Sequence, residues 1–233
     1  LTAHLLKLWN VPETVLDKEK DTTVIENEIL APDDQFYELL DYQYYIKQRV
    51  LNNLNSEHLL ERMLVHMPTG TGKTKTTMHI ITNYINFTIK KQGIVIWIAH
   101  TTELLQQAYD TFESVWKHLG DGKINAYKLW GTKTIENINQ PLNGIVFCGL
   151  SKLMSIADSK PALYERLKMD CRLIVFDEAH KAAARKTQKV IEGLMRMPAG
   201  YENRALIGLT ATPGRTTEDT YDNNLLTNMF GNK

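Results

Sequence analysis

Residues 67–74 read Met-Pro-Thr-Gly-Thr-Gly-Lys-Thr, and residues 177–180 read Asp-Glu-Ala-His. The first stretch supplies two glycines, a lysine and a hydroxyl, the parts of a turn whose backbone N–H groups converge on an anion. The second supplies adjacent carboxylates, one suited to a metal-bound water and one suited to orienting or deprotonating an attacking water. Together they suit transfer of a phosphoryl group. Alone, the first could be a glycine-rich turn with an incidental lysine, and the second a polar helix start. Their conjunction disfavours both bland readings.

Met67 stands where the strict phosphate-loop pattern asks for glycine. The working part is intact. Gly70 and Gly72 free the backbone to curve around an anion. Lys73 opens a helix whose positive dipole end faces the same anion. Thr74 adds a hydroxyl for a cation. A third stretch, Leu206 to Arg215, ends a strand in Thr210 and Thr212 before a Pro-Gly turn. By itself it is a strand followed by a loop.

These residues need a frame that holds them together. Met63 to His66 reads as a short buried strand ahead of the glycine turn. Lys73 to Lys90 reads as a helix, with Met78, Ile81, Ile85 and Ile89 at helical spacing. Ile94 to Ile98 is an apolar strand, and Leu104 to Leu119 carries a 3.6-residue apolar stripe. Further strands are expected near 124–130, 145–148, 172–176 and 205–209. Helices are expected over Phe36 to Asn53 and near 151–168 and 181–196. Strands apolar on both faces that alternate with amphipathic helices predict a mainly parallel sheet covered on both sides, a three-layer α/β domain. Ligands of such sheets bind at the carboxyl ends of the strands. Asp177 emerges at such an end, after Leu173-Ile174-Val175-Phe176.

At 233 residues and 43% hydrophobic content, the chain can bury one large core. Net charge is zero but uneven. Residues 1–42 hold 3 Lys/Arg against 10 Asp/Glu, leaving the remainder mildly basic. The acidic leader is either a solvated linker or a segment that shields a basic groove. Cys148 and Cys171 lie in apolar stretches and read as free buried thiols of a reducing compartment. The seven histidines show no metal-ligand spacing. No apolar run reaches membrane-spanning length and no signal peptide is visible, so an intracellular, cytoplasmic location is expected. The chain opens at Leu1 and is expected to be a piece of something larger.

The set of motifs resembles superfamily 2 helicases and translocases of the DEAH/DEAD-box type. Met67–Thr74 is similar to motif I, Asp177–His180 to motif II and Thr210–Thr212 to motif III. Ile98–Leu104 is similar to motif Ia. Phe147–Leu153 loosely resembles the later DNA-contacting motif, and Tyr42-Gln43 the adenine-reading glutamine segment. Met-Pro-Thr-Gly-Thr-Gly-Lys-Thr and Leu-Thr-Ala-Thr-Pro-Gly-Arg are most similar to type III restriction-like helicase subunits. DEAD-box RNA helicases typically carry Ser-Ala-Thr in motif III, so Thr210 favours DNA over RNA.

The resemblance covers roughly residues 36–230. It implies a first RecA-like P-loop NTPase domain over 36–233, and the stretch ahead of it, 1–35, reads from its charge and pattern as an acidic leader with a short helix. ATP and Mg²⁺ would be its cofactors, with Pro68, Thr69, Gly70, Thr71, Gly72, Lys73 and Thr74 around the phosphates. Thr74 and Asp177 would hold the metal, and Glu178 would activate water. His180 would relay nucleotide state to motif III, or else merely cap a turn. Gln43 would bond the adenine, or else lie on a helix surface. Thr101, Thr102, Ser151 and Lys152 would touch a nucleic-acid backbone, with Thr210 and Thr212 coupling. Singly, the four backbone-contacting residues could equally be caps or solvated side chains. Such engines also need a second RecA-like domain bearing a Gln-x-x-Gly-Arg-x-x-Arg segment, which residues 216–233 do not contain. The expected function is an ATP-dependent helicase or translocase motor domain acting on nucleic acid, with no membrane partner. An RNA helicase and an ATP-gated nucleic-acid sensor are the rivals. A metabolic P-loop kinase is disfavoured by Asp177-Glu178 together with Thr210–Thr212.

Overall fold

Seven strands form one sheet in the order β1-β4-β5-β3-β6-β7-β2. This is a computed structural model, and it describes residues 28–31, 38–56, 61–179, 185–196, 204–211 and 229–230. The strands are β1 (Glu28–Leu30), β2 (Arg62–His66), β3 (Ile94–Ala99), β4 (Ile124–Leu129), β5 (Gly144–Gly149), β6 (Cys171–Phe176) and β7 (Ala205–Thr210). Helices α1 (Asp41–Leu54), α2 (Lys73–Asn83), α3 (Thr102–Leu119), α4 (Leu150–Ser159), α5 (Pro161–Asp170) and α6 (Arg185–Met195) fill the connections. All pairings are parallel except that of β1 with β4.

The period of two along β3 sorts its side chains between two cores. Val95, Trp97 and Ala99 pack with α1, α2 and α3, among them Leu51, Ile81, Phe112 and Trp116. Ile94, Ile96 and Ile98 pack with α4, α5 and α6, among them Leu153, Leu167 and Ile191. Every residue of β3 is buried, as a central strand covered on both faces must be. The expected three-layer α/β sandwich is the observed one.

Three elements depart from the expected pattern. The expected helix over 151–168 is two helices, because Pro161 cannot continue α4 and instead starts α5 at a first-turn position. The helix from Lys73 ends as α-helix at Asn83 and widens into a π-helical turn over Tyr84–Thr88. That turn presents Asn86 to the end of α3, where its amide donates to the Leu119 carbonyl and accepts from the Asp121 N–H. Third, Glu28–Leu30 is a strand within what reads as linker. Its anchor is Glu28, whose carboxylate accepts from the Lys128 ammonium and the Tyr109 hydroxyl. Burial opposes ionisation of Glu28, yet those two donors hold its carboxyl below the usual range. The expected short helix near the start lies outside the described residues.

Arg204 stands just before β7 and is buried at 3% exposure, so its charge needs partners. Its guanidinium donates to the carbonyls of Lys168, Cys171 and Leu194, gathering the ends of α5 and α6. It thereby fixes the strand that carries Thr210. Arg204→Ala should lower unfolding free energy by about 3 kcal/mol, the scale of one or two charged hydrogen bonds. Urea denaturation checks this, and an unchanged midpoint would remove Arg204 from this role. Cys148 and Cys171 are both free and fully buried, and burial pushes their thiols up to about 12 and about 11.

Candidate active site

Because six strands run parallel, their carboxyl ends share one edge. The order β2, β7, β6 along that edge puts Thr210 between Met67 and Asp177. The Met67 N–H donates to the Thr210 carbonyl at 3.1 Å, and the Asp177 N–H to the Ile98 carbonyl at 2.8 Å. Main-chain bonds therefore tie the first stretch to the third, and the second to the end of β3.

The phosphate loop leaves β2 with Met67 buried at 2% exposure. A glycine there would place no side chain in the core, so methionine is a packing choice at this position. Pro68, Thr69 and Gly70 are exposed. The Thr71 hydroxyl and N–H both donate to the Pro68 carbonyl, at 2.7 and 3.3 Å, closing the turn. Gly70 and Gly72 have φ of +80° and +78°, a region that side chains avoid. A Cβ on Gly70 would meet nothing within 4 Å, so open space lies above the loop. Gly72 is the N-cap of α2, which aims its free N–H groups at that space.

Lys73 begins α2 and faces the second motif. Its ammonium donates to Glu178 Oε1 at 3.0 Å and lies 3.8 Å from Asp177 Oδ1. Asp177 is 5% exposed. Its Oδ1 accepts the Glu178 N–H at 3.0 Å. Glu178 has φ of +54°, uncommon for a residue with a side chain. Such strain clusters at functional sites. Thr74 follows in the first turn of α2, partly exposed.

Gln43 lies at the start of α1. It sits at the third position of α1 and is 4% exposed. Its Oε1 accepts the Leu40 N–H at 3.0 Å and its Nε2 donates to the Thr71 carbonyl at 2.8 Å. It is therefore not a helix-surface residue. Tyr42 donates to the same Thr71 carbonyl at 2.8 Å.

The other half of the edge carries the expected nucleic-acid residues. Thr101 caps α3, accepting the Leu104 N–H at 3.3 Å, and is exposed with Thr102. Ser151 is exposed in the first turn of α4. Lys152 donates to the Gly131 carbonyl at 2.9 Å. Burial, then the nearby Lys160, lowers the Lys152 pKa. Sequence reading missed the turn after β4. There Trp130 and Lys133 border an open groove of about 780 Å³ shared with Thr102, Gln106 and Asp110. The Lys133 ammonium lies 5.0 Å from the Trp130 ring centre. The signal was a Trp-Gly pair directly after a strand. His180 and Thr212 lie outside the described residues.

The profile of the family described as "Type III restriction enzyme, res subunit" matches residues 36–215. The chain belongs to that family. Among curated relatives it is similar to the ATP-dependent DNA helicase fml1 of Schizosaccharomyces pombe, at 26% identity over 76% of this chain and 19% of that protein. It is also similar to the ATP-dependent DNA helicase MPH1 of Saccharomyces cerevisiae, at 26% identity over 81% of this chain and 17% of that protein. The chain thus spans less than a fifth of either relative. Among solved structures, the Pyrococcus furiosus Hef helicase domain matches with a TM-score of 0.57 and 26% identity, over 81% of this chain and 35% of that one. The Sulfolobus solfataricus SWI2/SNF2 ATPase core matches with a TM-score of 0.58 at 16% identity, over 87% of this chain and 38% of that one, a likeness of fold. The RecA-like helicase fold expected for this res-subunit family member is the one observed.

Proposed function

We propose that this res-subunit family chain is the ATP-binding motor domain of an ATP-dependent helicase or translocase that acts on DNA. The observation that carries the reading is the Lys73 ammonium held at 3.0 Å from Glu178 and 3.8 Å from Asp177, at the mouth of a glycine turn that opens a helix. A cation, a hydroxyl, convergent N–H groups and two carboxylates at one edge fit a nucleoside triphosphate with a hard divalent cation. Gly70, Thr71, Gly72 and Lys73 would bind the phosphates, with Pro68 and Thr69 shaping the turn. Thr74 and Asp177 would hold Mg²⁺, which supplies charge neutralisation on the phosphate oxygens. Glu178 would orient and deprotonate the attacking water.

DNA is favoured because both curated relatives above are named DNA helicases and because Thr210 stands in a Leu-Thr-Ala-Thr stretch. Thr101, Thr102, Ser151 and Lys152 would contact the backbone, chiefly its phosphates. His180 and Thr212 would couple the two halves of the edge. A second RecA-like domain would complete the cleft. No helix among the described residues is long and apolar enough to cross a membrane. An intracellular, cytoplasmic setting accords with two buried free thiols.

Lys73→Ala removes the charge that faces the phosphates. Its affinity for Mg-ATP should fall by about 2–3 kcal/mol, the worth of a charged hydrogen bond. Titration calorimetry with equal affinities for both forms would overturn the reading. Strand displacement on DNA and RNA duplexes by the full-length protein tests the substrate.

A further inference from the structure

Strands β2 and β7 run side by side and parallel, with His66 opposite Thr210 at their carboxyl ends. The chain leaves β2 into the phosphate loop and leaves β7 into Ala211 and Thr212. The Met67 N–H carries the main-chain pairing one residue past β2, to the Thr210 carbonyl at 3.1 Å. One residue past β7 the bond is made by a side chain instead. His66 Nε2 lies 3.0 Å from the Ala211 carbonyl oxygen. A carbonyl only accepts, so this ring nitrogen carries a proton and donates it.

The period of two along β2 sets up that reach. Met63 and Val65 pack against the core that holds α1, α2 and α3. Leu64 and His66 take the other face, and both are exposed. Leu64 lies over its partner Gly208, where a Cβ would fall 2.9 Å from Leu64 Cδ1. His66, two residues on, leans toward β7 on the same face. Met67, next in the chain, is buried at 2% exposure, so the ring hangs from anchored main chain. An apolar side chain at position 66 would gain little burial. What histidine adds there is a donor.

We infer that His66 is a positioning residue that ties the root of the phosphate loop to the exit of β7. Through it, a change at the nucleotide moves the stretch from Thr210 to Thr212. This rests on the nucleotide and DNA reading above, and His66 itself touches neither ligand. It stands one residue before Met67, and its ring holds the residue after Thr210. A shift in the root of the loop therefore pulls on Ala211 directly, across 145 residues of sequence.

The test uses the full-length protein, a fluorescent single-stranded oligodeoxynucleotide and adenylyl imidodiphosphate with Mg²⁺, which is not hydrolysed. Anisotropy gives the DNA dissociation constant with and without saturating analogue, and the ratio of the two is the coupling between the sites. His66→Ala removes an exposed side chain, so the thermal midpoint and the analogue affinity without DNA should be unchanged. The coupling ratio should shrink by roughly fivefold, the scale of one neutral hydrogen bond. His66→Gln, whose amide also donates, should keep most of the ratio. An unaltered ratio in His66→Ala would overturn the inference. So would weaker binding of both ligands at a constant ratio, which would make His66 a residue of the fold alone. Equal loss in the Ala and Gln variants would overturn it too, as would an unmodified protein whose two sites are independent. If the unmodified protein bound neither the analogue nor DNA, the functional reading would fall and this link with it.

Discussion

Replacing Glu178 with glutamine is expected to stop turnover while leaving nucleotide bound. The substitution keeps shape and the hydrogen-bond acceptor but removes the base. General-base catalysis contributes about 10²–10⁴ in rate, so ATP turnover by the full-length protein should fall at least about a hundredfold. The geometry adds a second expectation. Glu178 holds the Lys73 ammonium at 3.0 Å, in competition with any phosphate that needs it. Glutamine is a weaker competitor, so Mg-ATP affinity should hold or rise. Steady-state hydrolysis and calorimetry on the same preparation read both effects. Turnover equal to that of the unmodified enzyme would take water activation away from Glu178.

The isolated chain of residues 1–233 should bind nucleotide yet hydrolyse it very slowly. Charge that develops on the transferring phosphoryl group needs cations from more than one side. The described site brings Lys73 to the carboxylates, and residues 216–233 add one cation, Lys233. An arginine supplied from another body is worth about 10³–10⁵ in rate. The chain alone should fall short of the intact enzyme by a factor in that range, with little stimulation by DNA. Its grip on nucleic acid should be weak and should fade steeply with salt, because the contacts are largely to phosphates. Adding a second RecA-like domain should restore turnover. Brisk DNA-stimulated hydrolysis by residues 1–233 alone would mean that another group, such as one from a second copy, completes the site.

Much of this was legible in the sequence, and the reasons are local. The strands β3 and β6 are apolar on both faces, a pattern that only a covered parallel sheet satisfies. Asp177 and Glu178 could be singled out because they sit directly after such a run, and Lys73 because it follows a glycine turn. Other features were not legible because they depend on partners distant in sequence. Gln43 meets Thr71 across 28 residues, and nothing in Tyr-Gln itself declares that its amide faces a loop carbonyl. The strand at Glu28–Leu30 is three residues long, and its anchor is a lysine 100 residues away. The groove beside Trp130 needed the strand order, since α3 and the turn after β4 are neighbours only through the sheet. The break at Pro161 was available from the sequence, since proline is at home in a first turn.

Burial of the two cysteines makes the unmodified chain a quiet background for thiol chemistry. Maleimide and iodoacetamide probes attack exposed thiolates. Cys148 and Cys171 offer neither exposure nor charge at neutral pH. A single cysteine introduced on the rim of the sheet edge, at an exposed position such as Thr102, would be the one site such reagents find. Fluorophores, spin labels or cross-linkers can then be placed beside the groove without first removing a native cysteine.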